Sequence, residues 1–365
     1  MKIIFCGGGT AGHVMPALAI ANELKRKNPK SEILFIGREG GIENDPIKRA
    51  GFNYKIISVM GIKRKPTLKN LKAIYKAVTA KRKAKKIIAD FSPDAILGTG
   101  GYVCYPIIKA GYDLKIPTFI HESNTYPGLT TRMLSRKCNR VFLSNEEAKQ
   151  HLTNKENLSV VGNPVRKEFF SLTKSEARTR LKLAQKAFII VSFGGSLGAK
   201  KINETIISFM KNYASKSENI NHIHATGKGN YKSEYATLFN EKSGCKILPF
   251  LEEMALYMKA ADVVISRSGA MTLSELAASG TPAILIPSPN VAENHQMKNA
   301  MVFAQKNAAQ IIKEDELTEE ILTKKISFLA SNPRKLAQMS KCIELFAKQN
   351  VEAKILNEIF SAVKH

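Results

Sequence analysis

Three stretches of this 365-residue chain join glycines to groups that bind anions or move protons. The first, Gly7-Gly8-Gly9-Thr10-Ala11-Gly12, follows an apolar run and ends on His13. Glycine accepts positive φ and lets another group approach the backbone closely. The free N–H groups and dipole of a following helix then favour negative charge. An imidazole at that helix start can accept a proton, so His13 is a candidate general base, with a capping role as the alternative. The second, Gly194-Gly195-Ser196-Leu197-Gly198, adds a hydroxyl for a phosphate oxygen. The third, Ser266-Arg267-Ser268-Gly269-Ala270-Met271-Thr272, opens a helix that carries Glu275 one turn on. A diphosphate at that helix start would leave Glu275 to accept ribose hydroxyls; the alternative is a first-turn acid facing the dipole.

Smaller groups follow other apolar runs. Asn294-His295-Gln296 offers amides and an imidazole to sugar hydroxyls. Gly98-Thr99-Gly100-Gly101-Tyr102 and His121-Glu122-Ser123-Asn124 end successive strand candidates. His121 and Glu122 also fit a purely structural pair.

These groups need strands to hold them. Strand-length apolar runs lie at Lys2–Cys6, Glu32–Ile36, Tyr54–Val59, Ala95–Leu97, Thr118–His121 and Arg140–Leu143, with helices such as Pro16–Lys27 and Leu68–Asp90 between them. After a strand at Leu158–Val161, the turn Gly162-Asn163-Pro164 marks a hinge. The rhythm then restarts with Phe188–Phe193, His222–Thr226, Cys245–Leu248, Val263–Ser266 and Ala283–Pro287, and Pro333 to Val363 reads as helix. Alternating β and α segments predict two doubly wound, Rossmann-like domains, whose ligands sit at the carboxyl ends of parallel strands. The expected organisation is a first domain over 1–163, a second over 164–340, and a helix over 341–365 returning to the first. The glycine turns would then face one cleft.

The net charge of +25 points to anionic partners. Between Lys63 and Lys86 lie eleven Lys/Arg and no Asp/Glu, interleaved with apolar residues at near-helical spacing. Led by Lys63, Arg64 and Lys65, this stretch suits an anionic membrane surface; a solvated face is the plain alternative. A nucleic-acid role lacks the aromatic or helix-turn-helix context it would need. No run of 18 apolar residues exists, so membrane contact would be peripheral. Five scattered cysteines form neither a disulfide framework nor a metal pattern, which suits a reducing cytoplasm. There is no GKS/GKT loop, no GxSxG elbow and no DxD pair for a metal on a sugar diphosphate. The second strand lacks a terminal acid for a dinucleotide ribose, which counts against an NAD(P)-dependent oxidoreductase.

Seven segments in order, GGGTAGHVMPALA, GTGGYVCYP, HESNTYPGLTTR, VVGNPVR, FGGSLGAKKIN, RSGAMTLSELAASGTPAILIP and NHQMKNA, resemble the MurG family of bacterial peptidoglycan glycosyltransferases. The resemblance spans nearly the whole chain. It implies a GT-B fold: two Rossmann-like domains facing each other across a cleft. It implies inverting transfer of N-acetylglucosamine from UDP-N-acetylglucosamine to the C4 hydroxyl of lipid I, undecaprenyl-diphospho-N-acetylmuramoyl-pentapeptide, giving lipid II. By the same resemblance, Thr10, Ala11, Gly12, Asn124, Arg166, Ser196, Leu251, Ala270, Met271, Thr272, Glu275 and Gln296 contact the donor. His13 is the candidate base and Glu122 its competitor. No cofactor is required, and the value of a divalent ion is left open. The partners would be the donor, lipid I, an anionic membrane at its cytoplasmic face, and the cell-wall synthesis machinery. Two departures stand out: Ala11 where a second glycine is frequent, and HESN where HEQN is common. A UDP-N-acetylglucosamine 2-epimerase of the same fold is the alternative; it would need no lipid acceptor.

Overall fold

The computed structural model describes residues 1–41, 43–60, 68–195, 197–240 and 243–363. The chain divides into two compact units, Met1–Val165 with Lys348–His365, and Arg166–Ala347.

Unit 1 is built on seven parallel strands: β1 Lys2–Cys6, β2 Glu32–Arg38, β3 Asn53–Ile57, β4 Ala95–Gly98, β5 Thr118–Glu122, β6 Arg140–Leu143 and β7 Leu158–Val160. Their order is β3-β2-β1-β4-β5-β6-β7. Helices α1 Ala11–Lys27, α2 Asn44–Arg49, α3 Leu68–Phe91, α4 Cys104–Asp113 and α5 Leu129–Leu134 fill the connections. Every residue of β4 and β5 is buried, as expected for a parallel sheet covered on both faces. The order reverses beside β1, between β2 and β4, and that switch point is where such sheets open a ligand crevice.

Unit 2 repeats the plan with β8 Phe188–Phe193, β9 Ile220–Ala225, β10 Cys245–Leu248, β11 Val263–Ser266, β12 Ala283–Leu285 and β13 Ala309–Ile311, in the order β10-β9-β8-β11-β12-β13. Its helices are α6 Glu168–Ser171, α7 Lys174–Arg180, α8 Lys200–Asn212, α9 Met254–Ala260, α10 Ala270–Ser279, α11 His295–Gln305, α12 Glu319–Ala330 and α13 Pro333–Glu344. A final helix, α14 Val351–Val363, belongs to unit 1. There Val351, Ile355, Leu356 and Ile359 join Val14, Ala17, Ile20 and Leu24 of α1 in one buried cluster.

Several boundaries differ from the sequence reading. Helix α1 begins at Ala11, five residues before Pro16, so the proline sits within the helix. Lacking an N–H, Pro16 leaves the Gly12 carbonyl without its helical donor. The tail is two helices. Asn332 caps α13 through Lys335 N–H, and Asn350, at φ +57°, breaks the chain before α14. Strand β13 escaped notice because Ala-Gln-Ile is too short and too polar to show a pattern. The Gly162 turn is pinned: Gly162 has φ +102°, a Cβ there would lie 2.6 Å from Lys348 Cβ, and its carbonyl accepts His121 Nε2–H at 2.9 Å. Asn163 Nδ2 donates to Ser123 O at 3.2 Å, so the chain leaves unit 1 only after Val165.

Candidate active site

In unit 1 the carboxyl ends of β1, β4 and β5 bring three loops to one sheet edge. The turn after β1 is packed against the loop after β4. Gly8 N–H donates to Gly100 O at 3.3 Å, and Thr99 Oγ1 donates to His13 O at 2.6 Å. Gly101 has φ +84°, and a Cβ there would overlap the Gly8 carbonyl oxygen. Gly101→Ala therefore meets both backbone strain and a backbone clash. It should destabilise the protein by about 2–4 kcal/mol, seen as a Tm loss of about 5–15 °C. An unchanged Tm would show that the two loops part freely.

His13 lies in the first turn of α1 and is partly exposed. Its Nδ1 is 2.9 Å from Gly8 O and 3.2 Å from Thr10 Oγ1. A carbonyl only accepts, so Nδ1 carries the proton toward Gly8, and the neutral ring keeps its lone pair on Nε2. A Cβ on Gly100 would come within 2.9 Å of that Nε2, so this glycine keeps space beside the basic atom.

Glu122 is only 5% exposed. Its Oε1 accepts from Asn124 N and Nδ2 at 3.0 and 3.2 Å; its Oε2 accepts from Gly128 N at 2.9 Å and Thr131 Oγ1 at 2.7 Å. A carboxylate has about four lone-pair sites, and all four are used. The arrangement shapes the loop that carries Asn124. It leaves Glu122 no free lone pair to take a proton. His121 is fully buried, and burial holds it below the ordinary imidazole range.

Sequence reasoning passed over Glu43, which no periodic pattern marks. It is fully buried just before α2. Its Oε2 accepts from Gly9 N at 3.2 Å and its Oε1 from Arg38 N at 3.0 Å. This acid, five residues past the end of β2, thus faces the Gly9 and Arg38 backbone amides, where a dinucleotide site would give an acid a ribose.

Unit 2 gathers the other candidates at the carboxyl ends of its own strands. In the loop after β8, Gly195 has φ +94° and Gly198 packs on Thr226 and Gly227 after β9. Ser196, like Lys63, Arg64 and Lys65, lies outside the described residues. Gly269 caps α10, and Ala270, Met271 and Thr272 form its first turn. Glu275 follows and is half-buried by area, yet the surrounding protein strips enough water to raise its carboxyl to about 7, with Arg166 opposing. Arg166 is exposed and stacks on Phe169, its guanidinium carbon 5.3 Å from the ring centre. Gln296, in the first turn of α11, accepts Ser288 N–H at 2.9 Å through Oε1, which leaves its amide NH₂ as the donor. Leu251 is buried, so its backbone is the part that could meet a ligand. Among the described residues no cluster of His, Cys, Asp or Glu could hold a metal ion.

Unit 2 offers helix starts suited to anions and a carboxylate and amides suited to hydroxyls, the group types a nucleotide sugar needs, and unit 1 offers a histidine with a basic nitrogen.

Comparison with known proteins agrees. The N-terminal domain of glycosyltransferase family 28 matches residues 3–143, and its C-terminal domain matches residues 189–356. The UDP-N-acetylglucosamine–N-acetylmuramyl-(pentapeptide) pyrophosphoryl-undecaprenol N-acetylglucosamine transferase of Thermoanaerobacter sp. (strain X514) is 42% identical, over 99% of this chain and all of that one. The crystal structure of Acinetobacter baumannii MurG superposes with a TM-score of 0.78 at 28% identity, covering 99% of both chains. The UDP-GlcNAc 2-epimerase of Neisseria meningitidis, solved with UDP-GlcNAc, has a TM-score of 0.68 over 99% of this chain and all of that one. At 15% identity it shares the fold alone. The chain has the two-domain GT-B fold and belongs to glycosyltransferase family 28, among the N-acetylglucosaminyltransferases of peptidoglycan synthesis.

Proposed function

We propose that this protein transfers N-acetylglucosamine from UDP-N-acetylglucosamine to the C4 hydroxyl of lipid I, with inversion, to form lipid II. The observation that carries the reading is the His13 geometry: Nδ1 spent on Gly8 O, Nε2 left basic, at the sheet edge where a ligand belongs. His13 Nε2 takes the hydroxyl proton as the acceptor oxygen attacks the anomeric carbon. The bond from that carbon to the diphosphate breaks, and its electron pair leaves on UDP. The starts of α8 and α10 receive the charge of the leaving diphosphate, Glu275 and Gln296 hold hydroxyls, and Arg166 serves the nucleotide end. In this scheme no cofactor takes part. Full-length protein incubated with labelled UDP-N-acetylglucosamine and a lipid I analogue should move label into lipid. N-acetylmannosamine, UDP-linked or released by hydrolysis, with no lipid label would point to epimerase chemistry and overturn the reading.

On this reading the protein works at the cytoplasmic face of the membrane, beside the cell-wall machinery. Helix α3 supports this: it carries eight Lys/Arg between Lys69 and Lys86 and exposes Tyr75 and Val78. No helix among the described residues is long and apolar enough to cross a membrane. Replacing Lys63, Arg64 and Lys65 together by alanine should weaken sedimentation with phosphatidylglycerol vesicles about 100-fold, at roughly 1 kcal/mol per charge. Binding that persists unchanged would remove this stretch from the membrane face.

A further inference from the structure

One peptide group in unit 1 is held at both ends by ionisable side chains. Gly8 and Gly9 share it. Its carbonyl oxygen accepts His13 Nδ1–H at 2.9 Å, and its N–H donates to Glu43 Oε2 at 3.2 Å. Glu43 is fully buried, and among the described residues no Lys or Arg lies within ion-pair distance of it. Burial first, and Glu43 next, hold the Tyr54 hydroxyl above its ordinary range, with Arg38 opposing. A buried, unpaired carboxylate is costly, so its placement against a glycine turn calls for a reason. Gly8 and Gly41 both lack the Cβ that would collide with this carboxyl.

We propose that Glu43 is a positioning residue that acts on His13 through the Gly8–Gly9 peptide. The inference rests on the reading of His13 as the base. A carboxylate accepting a peptide N–H draws electron density toward the carbonyl end, because hydrogen bonds in a chain polarise one another. The Gly8 oxygen becomes a stronger acceptor. It fixes the tautomer with the proton on Nδ1 and favours the imidazolium that forms when Nε2 takes the acceptor proton. The carboxylate of a Ser-His-Asp triad touches its histidine directly; here one peptide unit stands between them. No proton crosses the peptide. The acceptor proton stays on Nε2 until it is lost to solvent, while the anomeric carbon gains the acceptor oxygen and UDP leaves with the electron pair.

The charged and titratable groups around this peptide are few. Helix α1 brings His13 itself, the segment before α2 brings Glu43, β2 and β3 bring Arg38 and Tyr54, and the loop after β4 brings Tyr102. The Arg38 guanidinium carbon lies 5.9 Å from the Tyr102 ring centre.

Glu43→Gln keeps an acceptor oxygen and removes the charge. In full-length protein assayed with UDP-N-acetylglucosamine and a lipid I analogue, kcat should fall about tenfold with the donor KM unchanged. The acidic limb of the kcat/KM profile should move about half a unit to lower pH. Loss of a merely structural contact would lower the Tm and leave that limb in place. Glu43→Asp keeps the charge and withdraws it by one methylene; it should shift the limb less, in the same direction, and it decides the matter if the glutamine variant does not fold. A limb unmoved in the folded variant overturns the proposal while the base assignment stands. Full turnover in His13→Ala would instead overturn the base assignment itself.

Discussion

Replacing His13 by alanine is expected to lower turnover about 10²- to 10⁴-fold while leaving UDP affinity within about twofold. The size follows from what the ring supplies. A sugar hydroxyl is a poor nucleophile until a base shares its proton in the transition state. Nε2 is the nitrogen left basic once Gly8 O holds Nδ1. The competing carboxylate, Glu122, has both oxygens occupied by four donors. Glu122→Gln keeps one acceptor oxygen and sets an NH₂ against either the Asn124 or the Gly128 N–H, so its effect should appear first as a lower Tm. The comparison that decides is kcat for each variant beside UDP affinity by calorimetry. If His13→Ala retains more than a tenth of wild-type turnover, the base is another group.

Glu275 gives the second large effect, and its sign can be worked out. Burial raises its carboxyl to about 7, while the unfolded chain would release that proton near the ordinary glutamate value. Between those values the folded, ligand-free protein binds more protons than the unfolded chain. Its stability contribution is therefore full at the acid end and falls as pH rises toward about 7. Donor binding has the opposite sign. Ribose hydroxyls donate, and only the ionised carboxylate accepts them at both oxygens. UDP affinity should thus fall as pH drops below about 7. Binding near neutrality should release a fraction of a proton, measurable by calorimetry in buffers of different ionisation enthalpy. Glu275→Gln should weaken UDP about 10- to 100-fold and flatten the pH dependence, because hydrogen bonds to a charged group are the stronger kind. Wild-type affinity in the variant, or a flat wild-type profile between pH 6 and 8, would remove Glu275 from the ribose.

Both predictions rest on side chains whose types were legible in the sequence and whose states were not. The glycine turns, the strand-helix rhythm and the two similar halves follow from local rules: short apolar runs bounded by glycine, then amphipathic periods. Those rules placed His13, Glu122, Glu275 and Gln296 just beyond strand ends. They misplaced the start of α1, because Pro16 reads as a first-turn signal yet sits one turn further in. They also merged α13 with α14, because a single left-handed Asn350 leaves little trace in hydrophobicity.

The sequence by itself determined which groups meet the ends of the strands, because covalent order and alternation set that much. The tertiary structure decided which of them are free to act. Glu122 and His13 look equally able to take a proton when written as letters. Four donors from the loop that follows it and the first turn of α5 occupy the first, and a single carbonyl orients the second. Glu43 was invisible for the same reason. Its role depends on the turn after β1 and the segment before α2 meeting across 34 residues, where the buried carboxyl accepts the Gly9 N–H.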